Sequence, residues 1–292
     1  MSLHNLRAAL PVLDEPVLVM HLEGWIDAGL GASAAMANLL AASPTELLAD
    51  FDQDALIDHR ARRPILHIEN GVTNGLSWPE IHLRHGKDRT GKDLLHLVGP
   101  EPDMRWREFT NEIVGLASEL GVRMLVGLGA FPAPVPHTRP VRLASTASDA
   151  NLAAIIGFIP HQIDVPAGIQ AVLEVGLAEA GIPSIGLWAR VPHYVSGMPY
   201  PAASIALLDG LSKIAGIATH AGDLVGNAES THARIEGLMA GNDEHREMVR
   251  GLESQYDSED APPQSMGFST IPTGDEIAEE LERYLKGQGG GD

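Results

Sequence analysis

The 292-residue sequence contains no cysteine. Disulfide bonds and thiolate zinc sites are therefore excluded, and a reducing cytosol is the expected setting. Basic residues are also scarce, since 20 lysines and arginines stand against 39 acidic residues and give a formal net charge of −19. Such an excess of negative charge repels the phosphates of nucleic acids and of anionic membranes. We expect neither as a partner.

Long apolar runs and familiar catalytic signatures are missing as well. No apolar run reaches the roughly 18 residues of a membrane span, and the amino terminus lacks the regions of a signal peptide. We therefore expect a soluble, cytoplasmic protein. The sequence has no GxSxG elbow, no SxxK, no HExxH and no EF-hand loop, which argues against the common nucleophilic and metal-dependent enzymes. It predicts no metal and no cofactor.

What the sequence does contain is an alternation of strand, loop and helix. With 44% hydrophobic residues the chain can bury a large core. Apolar runs of strand length lie at 17–22, 65–68, 81–84, 94–98, 122–128, 141–146 and 184–190, and helical patterns lie at 104–120, 167–180 and 202–215. This order predicts an α/β sandwich with a mostly parallel sheet, which a hairpin around 86–91 makes mixed. Residues 46–57 fit a helix or a strand.

The carboxyl-terminal quarter has a different character. Residues 223–292 hold 16 acidic and 5 basic residues. An apolar stripe over 235–252 predicts one long amphipathic helix, followed by a linker at 254–274, a second helix at 275–286 and a disordered tail. We therefore predict two parts, an α/β domain at 1–222 and an acidic helical extension at 223–292.

The first candidate site follows strand 17–22, where glycines at 24, 29 and 31 lead into an alanine-rich helix. The carboxyl end of a strand is where ligands usually bind in open α/β sheets. However, the loop matches neither GxxxxGK[ST] nor GxGxxG, and Glu23 and Asp27 would repel a phosphate. We interpret Gly24 and Gly29 as tight-turn and close-packing positions and Asp27 as a helix N-cap. An anion pocket is the alternative.

The second candidate site is a proline-rich loop that leaves strand 122–128 at residue 129. It carries His137 and Arg139, a titratable imidazole beside a guanidinium that can bind carboxylates in two contacts. His193 and Tyr194 follow strand 184–190 in a similar position. The alternative is structural, with Arg139 tying the loop to backbone carbonyls. No residue is predicted to be catalytic.

Four motifs in order carry a resemblance: GWIDAG at 24–29, PHTRP at 136–140, VPHYVSGMPYP at 191–201 and PTGDEIAEELERYL at 272–285. The chain resembles the PAC2 family, named for proteasome assembly chaperone 2 of eukaryotes, and is most similar to its actinobacterial branch. The resemblance implies a three-layer α/β/α body with a phosphorylase/hydrolase-like fold. For the eukaryotic members it implies a role in pairing proteasome α-subunits.

One departure from proteasome-docking factors concerns the tail. Such factors often end in a hydrophobic residue, a tyrosine and one further residue, whereas this sequence ends Gly-Gly-Gly-Asp. We therefore do not expect docking through that tail.

Two classes of function follow. The first is a non-enzymatic, assembly-chaperone-like or protein-interaction protein that forms a homo-oligomer, with a trimer as the expected number, and that binds a protein partner. The alternative is a phosphorylase- or hydrolase-like enzyme, or a ligand-binding protein, that takes a nucleoside-like or carboxylate ligand. The alternative requires that seven residues converge on one pocket. These are Gly24, Asp27, Gly29, His137, Arg139, His193 and Tyr194.

Overall fold

The computed structural model describes residues 2–24, 26–160 and 162–258. Its packing divides the chain into two units, residues 1–254 and residues 255–292. The predicted division at residue 222 stays a prediction. The predicted helix at 275–286, the tail and most of the predicted linker lie outside the described residues. Within the described ranges, no helix combines the length and hydropathy that crossing a bilayer requires.

The strands alternate in direction at the sheet edges and run parallel at its centre. They are β1 (His4–Leu6), β2 (Val17–Glu23), β3 (Glu46–Phe51), β4 (Ile65–Glu69), β5 (Val72–Ser77), β6 (His82–Lys87), β7 (Asp93–Pro100), β8 (Met124–Ala133), β9 (Leu143–Ala147) and β10 (Ser184–Pro192). Eight of these described strands form one sheet in the order β1-β3-β6-β7-β2-β8-β10-β9, and β4 pairs with β5 alone. The mixed sheet is confirmed. Its parallel part is smaller than predicted, because only β7, β2, β8 and β10 pair in parallel.

Helices cover both faces of the sheet. They are α1 (Gly31–Ala42), α2 (Gln53–Leu56), α3 (Trp106–Glu119), α4 (Ala150–Ile156), α5 (Ile169–Glu179), α6 (Pro201–Ala215), α7 (Leu224–Ala240) and α8 (Asp243–Ser258). Alternate residues of β2 serve the two faces, since Val17 and Val19 join the core of α1 and α6, while Leu18 and Met20 join that of α3 and α5. The three-layer α/β/α body is confirmed.

The prediction of one long amphipathic helix across 235–252 is wrong. The chain ends α7 at Ala240 and starts α8 at Asp243, with Gly241 and Asn242 between them. The Asn242 side chain accepts the Glu244 N–H at 2.8 Å, which is how an N-cap begins a new helix. The predicted linker start at 254 is also wrong, because α8 continues to Ser258.

The proline-rich loop begins later than predicted. Strand β8 does not end at residue 128, because its pairing with β10 continues through the pair Ala133 and Pro192. The ambiguous segment 46–57 contains a strand followed by a short helix, β3 and α2. Strands β1 and β5 and helix α4 were not predicted at all.

Candidate functional site

Three loops that carry the predicted residues meet at one edge of the sheet. We call them the opening loop (24–30), the PHTRP loop (134–142) and the third loop (193–200). They leave the carboxyl ends of β2, β8 and β10, which are parallel neighbours. Parallel pairing puts the ends of these strands at the same edge, the usual location for ligand sites.

Asp27 in the opening loop is bonded to the helix that follows it. Its carboxylate accepts the N–H of Ala32 at 2.7 Å, the N–H of Ser33 at 2.9 Å and the Ser33 hydroxyl at 2.6 Å. Asp27 therefore caps α1, as predicted, although it lies four residues before the first helical residue. Because this carboxylate takes the positive end of α1, an added anion would meet negative charge there.

His21 on β2 lies beneath the opening loop and escaped prediction because no motif marks it. Its Nε2 atom lies 3.0 Å from Ser33 Oγ and 3.7 Å from Asp27 Oδ2, while Nδ1 faces the Leu128 carbonyl at 3.3 Å. Both ring nitrogens of His21 therefore face oxygens that can accept a hydrogen bond, because the Leu128 oxygen is a carbonyl and the Ser33 hydroxyl gives its hydrogen to Asp27. A serine-protease relay needs the carboxylate on the far nitrogen of the imidazole, so this trio is not such a relay.

A first cavity of about 460 Å³ opens above these residues. Its lining comprises His21, Glu23, Gly24, Ile26, Asp27, Leu30 and Ser33. The two carboxylates make the wall acidic. The polar groups of His21, Asp27 and Ser33 are already bonded to one another.

The glycines of the opening loop allow close packing. At Gly29, where φ is +64°, a Cβ atom would lie 2.7 Å from Tyr200 Cβ. The Gly29 N–H donates to the Ser196 carbonyl, and the Gly29 carbonyl accepts the Tyr200 N–H, both at 2.8 Å. Gly24 has a φ of +158°, and a Cβ there would lie 2.9 Å from Glu101 Cβ. These contacts support the close-packing interpretation, since a side chain at either position would collide with a neighbour.

His137 in the PHTRP loop connects the third loop to α7. Its side chain is 1% exposed, and its Nε2 atom lies 2.9 Å from Glu236 Oε1. On the other side of the ring, Nδ1 lies 2.7 Å from the Tyr194 hydroxyl, which also accepts the His137 N–H. A neutral imidazole with its hydrogen on Nε2 satisfies all three bonds.

Burial has two consequences at this contact. It lowers the pKa of His137, although the Glu236 carboxylate opposes the shift. It also raises the pKa of Tyr194 to about 12, so the phenol keeps its proton and donates it to His137. The contact therefore favours the uncharged imidazole.

Arg139 and Thr138 connect the same loop to α8. The Arg139 guanidinium donates to Glu253 at 3.0 Å, and the Thr138 hydroxyl donates to the same carboxylate oxygen. The contact of Arg139 with a backbone carbonyl, at 3.4 Å from Thr138 O, is longer. The guanidinium therefore holds a carboxylate, and that carboxylate belongs to the chain itself.

A second cavity, of about 290 Å³, lies between the PHTRP loop, α6 and α7. Polar side chains of His137, Arg139, Asp209, Thr231 and His232 contribute to its lining. The rest of the lining is mainly apolar, with proline, alanine, valine and isoleucine side chains and the ring of Tyr200.

The seven predicted residues do not converge on one cavity. Gly24 and Asp27 line the first, and His137 and Arg139 line the second, while Gly29, His193 and Tyr194 line neither. Tyr200 both contacts Gly29 and lines the second cavity, so a packed side chain takes up space that a shared pocket would need. The convergence that the enzyme alternative requires is therefore not observed. The described residues also contain no group of three or more histidine and acidic residues that could hold a metal ion.

Glu174 is a buried carboxyl group that sequence reasoning missed. It lies on α5 and is 8% exposed, in a notch of the sheet where Gly186 has no side chain. It accepts hydrogen bonds from Thr146 Oγ1 at 2.8 Å and Gln170 Nε2 at 3.1 Å. Burial raises its pKa to about 7. The available signal was a glutamate in the apolar pattern of helix 167–180, next to Leu173. Glu174 lines neither cavity.

Comparisons with known proteins identify one family and several similar structures. The PAC2 family profile matches residues 21–239. The chain is similar to a Corynebacterium glutamicum protein of unknown function, with 32% identity, a TM-score of 0.82 and coverage of 88% of this chain and 97% of that chain. It is also similar to a Mycobacterium tuberculosis protein of unknown function, with 35% identity, a TM-score of 0.81 and coverage of 88% and 91%.

A third similar structure is a Mycobacterium tuberculosis proteasome-assembly chaperone homologue, with 36% identity, a TM-score of 0.75 and coverage of 80% of this chain and 99% of that chain. A comparison with curated proteins finds no match. The profile match includes the three loops, most of the sheet and most of α7, and the relatives are covered almost completely. The chain therefore belongs to the PAC2 family.

Proposed function

We propose that the chain is an assembly-chaperone-like protein that binds unassembled protein subunits and acts without turning over a small molecule. The proposal rests on one observation: the polar side chains of the candidate site are bonded within the chain and do not face a shared pocket. Asp27, His137 and Arg139 each bond to partners within the chain, while many large apolar side chains stand at the surface. Exposed apolar surface is typical of protein interaction sites.

The family supports the same class of function. A relative with 36% identity is a proteasome-assembly chaperone homologue. We therefore propose proteasome α-subunits, before their incorporation into the finished particle, as the partner. We also propose that the protein forms a homo-oligomer, with a trimer as the expected number.

Co-expression with actinobacterial proteasome α- and β-subunits tests the proposal. Native mass spectrometry should detect a stoichiometric complex of the chain with α-subunits or with half-assembled particles. Finished particles are the control, because an assembly factor should leave them. A deletion strain should accumulate unassembled α-subunits. If no complex forms and the deletion strain assembles its proteasomes normally, the proteasome partner is wrong.

The ligand-binding alternative depends on the second cavity, where Arg139 and His232 face a space of about 290 Å³. A thermal-shift screen against nucleosides and small carboxylic acids tests it. A ligand at about 100 times its dissociation constant should stabilise the fold by roughly 2.7 kcal/mol. The interaction proposal expects no shift. A shift that disappears in Arg139→Ala would favour the ligand-binding alternative instead.

A further inference from the structure

Helix α8 is attached to the rest of the described chain through one side. Of its residues 243–254, eight are exposed, and the four that are not are Met248, Val249, Leu252 and Glu253. Residues three and four positions apart lie on the same side of a helix, so these four form one stripe of α8. The stripe is apolar except for Glu253.

Glu253 is the polar member of this stripe and contacts the PHTRP loop. The Thr138 hydroxyl and the Arg139 guanidinium donate to the same carboxylate oxygen, the second at 3.0 Å. The Glu253 side chain is 25% exposed, so most of it is withdrawn from water. A guanidinium and a hydroxyl that converge on one carboxylate oxygen make charge-assisted contacts of the kind that bind a carboxylate ligand.

The loop that receives Glu253 belongs to a basic part of an acidic protein. The PHTRP loop and β10 together contain three arginines and no acidic residue, although the net charge of the chain is −19. The Arg190 N–H donates to the Arg142 carbonyl at 3.1 Å, so the loop and the strand adjoin. We call residues 138–142 and Arg190 the basic surface. Helix α8 holds five acidic and two basic residues and is therefore complementary to it in charge.

The attachment of α8 differs from that of α7. Helix α7 packs along α6, and its Ile235 is 0% exposed. Helix α8 runs along no other described helix or strand. Segments with few buried apolar contacts open at a low free energy, before the core unfolds. The Glu253 contact is therefore placed to decide whether α8 stays on the basic surface.

We propose that the basic surface binds an acidic amphipathic helix of a partner protein, and that α8 occupies this surface until such a helix displaces it. Glu253 holds the place of the partner's carboxylate. The stripe of α8 indicates what the partner helix presents, an apolar residue followed four positions later by an acidic residue, as Val249 precedes Glu253. This proposal rests on the proposed function, because it takes an unassembled protein subunit as the partner.

Amide hydrogen exchange on the full chain tests whether Glu253 holds α8. Glu253→Gln keeps the shape of the side chain but removes the charge that the guanidinium binds, so exchange in α8 should accelerate at least tenfold while α1 and α6 keep their protection. Glu247→Gln is the matched control, because it removes an equal charge from the exposed side of the same helix. Unchanged exchange in Glu253→Gln, or equal acceleration in both variants, overturns the proposal.

A labelled peptide with the sequence of residues 243–258 tests the basic surface itself, with binding to the full chain measured by fluorescence anisotropy. In the wild type the tethered α8 competes at a high effective concentration. Glu253→Gln should therefore bind the peptide at least tenfold more tightly than the wild type, and Glu247→Gln should not. Arg139→Gln also releases α8 but lacks the guanidinium, so it should bind the peptide at least tenfold more weakly than Glu253→Gln does.

Two changed peptides separate recognition of one carboxylate from general attraction between opposite charges. Peptides that carry Glu247→Gln or Glu253→Gln have the same net charge. Only the second should bind the Glu253→Gln protein at least tenfold more weakly than the unchanged peptide does. Equal binding of the two changed peptides overturns the proposal.

No proteasome subunit takes part in these measurements. Failure of the unchanged peptide to bind the Glu253→Gln protein overturns the displaceable helix and leaves the co-expression test of the proposed function standing. Tight peptide binding together with a failed co-expression test supports the basic surface and shows that its partner is another protein.

Discussion

The opening loop and the PHTRP loop lie at the same sheet edge but are fixed by partners at different distances along the chain. Asp27 bonds to residues five and six positions away. His137 and Thr138 bond to residues 57, 99 and 115 positions away. The Asp27 side chain is therefore held by the helix that follows it, although the Gly29 backbone also bonds to the third loop. The side chains of the PHTRP loop depend on α7, α8 and the third loop. Three experiments can sharpen or break this distinction, and a fourth, on Glu174, supplies a reference carboxylate outside both loops.

The largest effect is expected for Gly29→Ala. The left-handed backbone and the 2.7 Å approach to Tyr200 Cβ both oppose a side chain, and together they should lower the free energy of unfolding by about 3 kcal/mol or more. Gly121→Ala is the matched control, because Gly121 has a φ of +69° with nothing within 4 Å of an added Cβ. Gly121→Ala should lower the free energy of unfolding by about 1 kcal/mol. Equal losses in urea unfolding would show that the close approach is unimportant.

Glu174→Gln measures how a buried carboxyl group that lies in neither loop changes stability with pH. The folded-state pKa of about 7 lies above the ordinary value of 4.5, so the folded protein holds an extra proton between these pH values and loses stability as pH rises through them. Glutamine stays neutral. The stability of Glu174→Gln relative to wild type should therefore rise by about 3 kcal/mol from pH 4.5 to pH 7. The exposed Glu179→Gln on the same helix should show no such trend in urea unfolding.

Asp27→Ala tests whether the opening loop is fixed locally. It leaves the N–H groups of Ala32 and Ser33 without their acceptor, which should cost about 2 kcal/mol in thermal or urea unfolding. Asp149→Ala is the matched control, since Asp149 caps α4 through two N–H groups in the same way but is exposed. It should cost about 1 kcal/mol. A larger loss of unfolding free energy for Asp149→Ala than for Asp27→Ala would show that the Asp27 cap is not the contact that fixes the opening loop.

The smallest effect is expected from acidification at His137. Burial lowers its pKa below 6.5, so the unfolded chain takes up a proton first, and stability falls as pH drops below 6.5. Amide-exchange protection should fall in α7, which Glu236 joins to His137, and stay constant in α1. His137→Gln should remove the part of this dependence that is specific to α7. A parallel fall in α1 and α7 would show that the two loops respond as one.

Local patterns predicted the centre of the fold and one of the two loops. The apolar runs of β2, β8 and β10 identified the central strands because these strands are buried on both faces. The cap at Asp27 was predictable because cap chemistry lies within a few residues. The glycine spacing marked Gly29 as a close-packing position, but its partner Tyr200 lies on a distant loop that no local pattern identifies. The Asn70-Gly71 pair is also a hairpin-turn signal that predicts β5, a strand without a continuous apolar run.

The remaining features depend on residues that are distant in sequence. No spacing rule connects His137 with Glu236, and the enclosure of Glu174 depends on a glycine in a strand that follows it. Prolines at 132 and 134 suggested a loop, yet β8 extends to Ala133 because β10 lies beside it. The break between α7 and α8 depends on the Asn242 cap. The apolar stripe continues across this break, so the pattern predicted a single helix.

The position of β2 at the centre of the sheet has a consequence for synthesis. Its neighbours are β7 and β8, and its pairing with β8 runs from Met124 to Gly127, so the ribosome must add 104 residues after Glu23 before both sides of β2 can pair. At about 5–20 residues per second this takes roughly 5–20 s. During that time Val17–Met20 has no complete sheet to join. A protein that we propose to shield unassembled subunits therefore has, while it is being made, an unpaired apolar strand of its own.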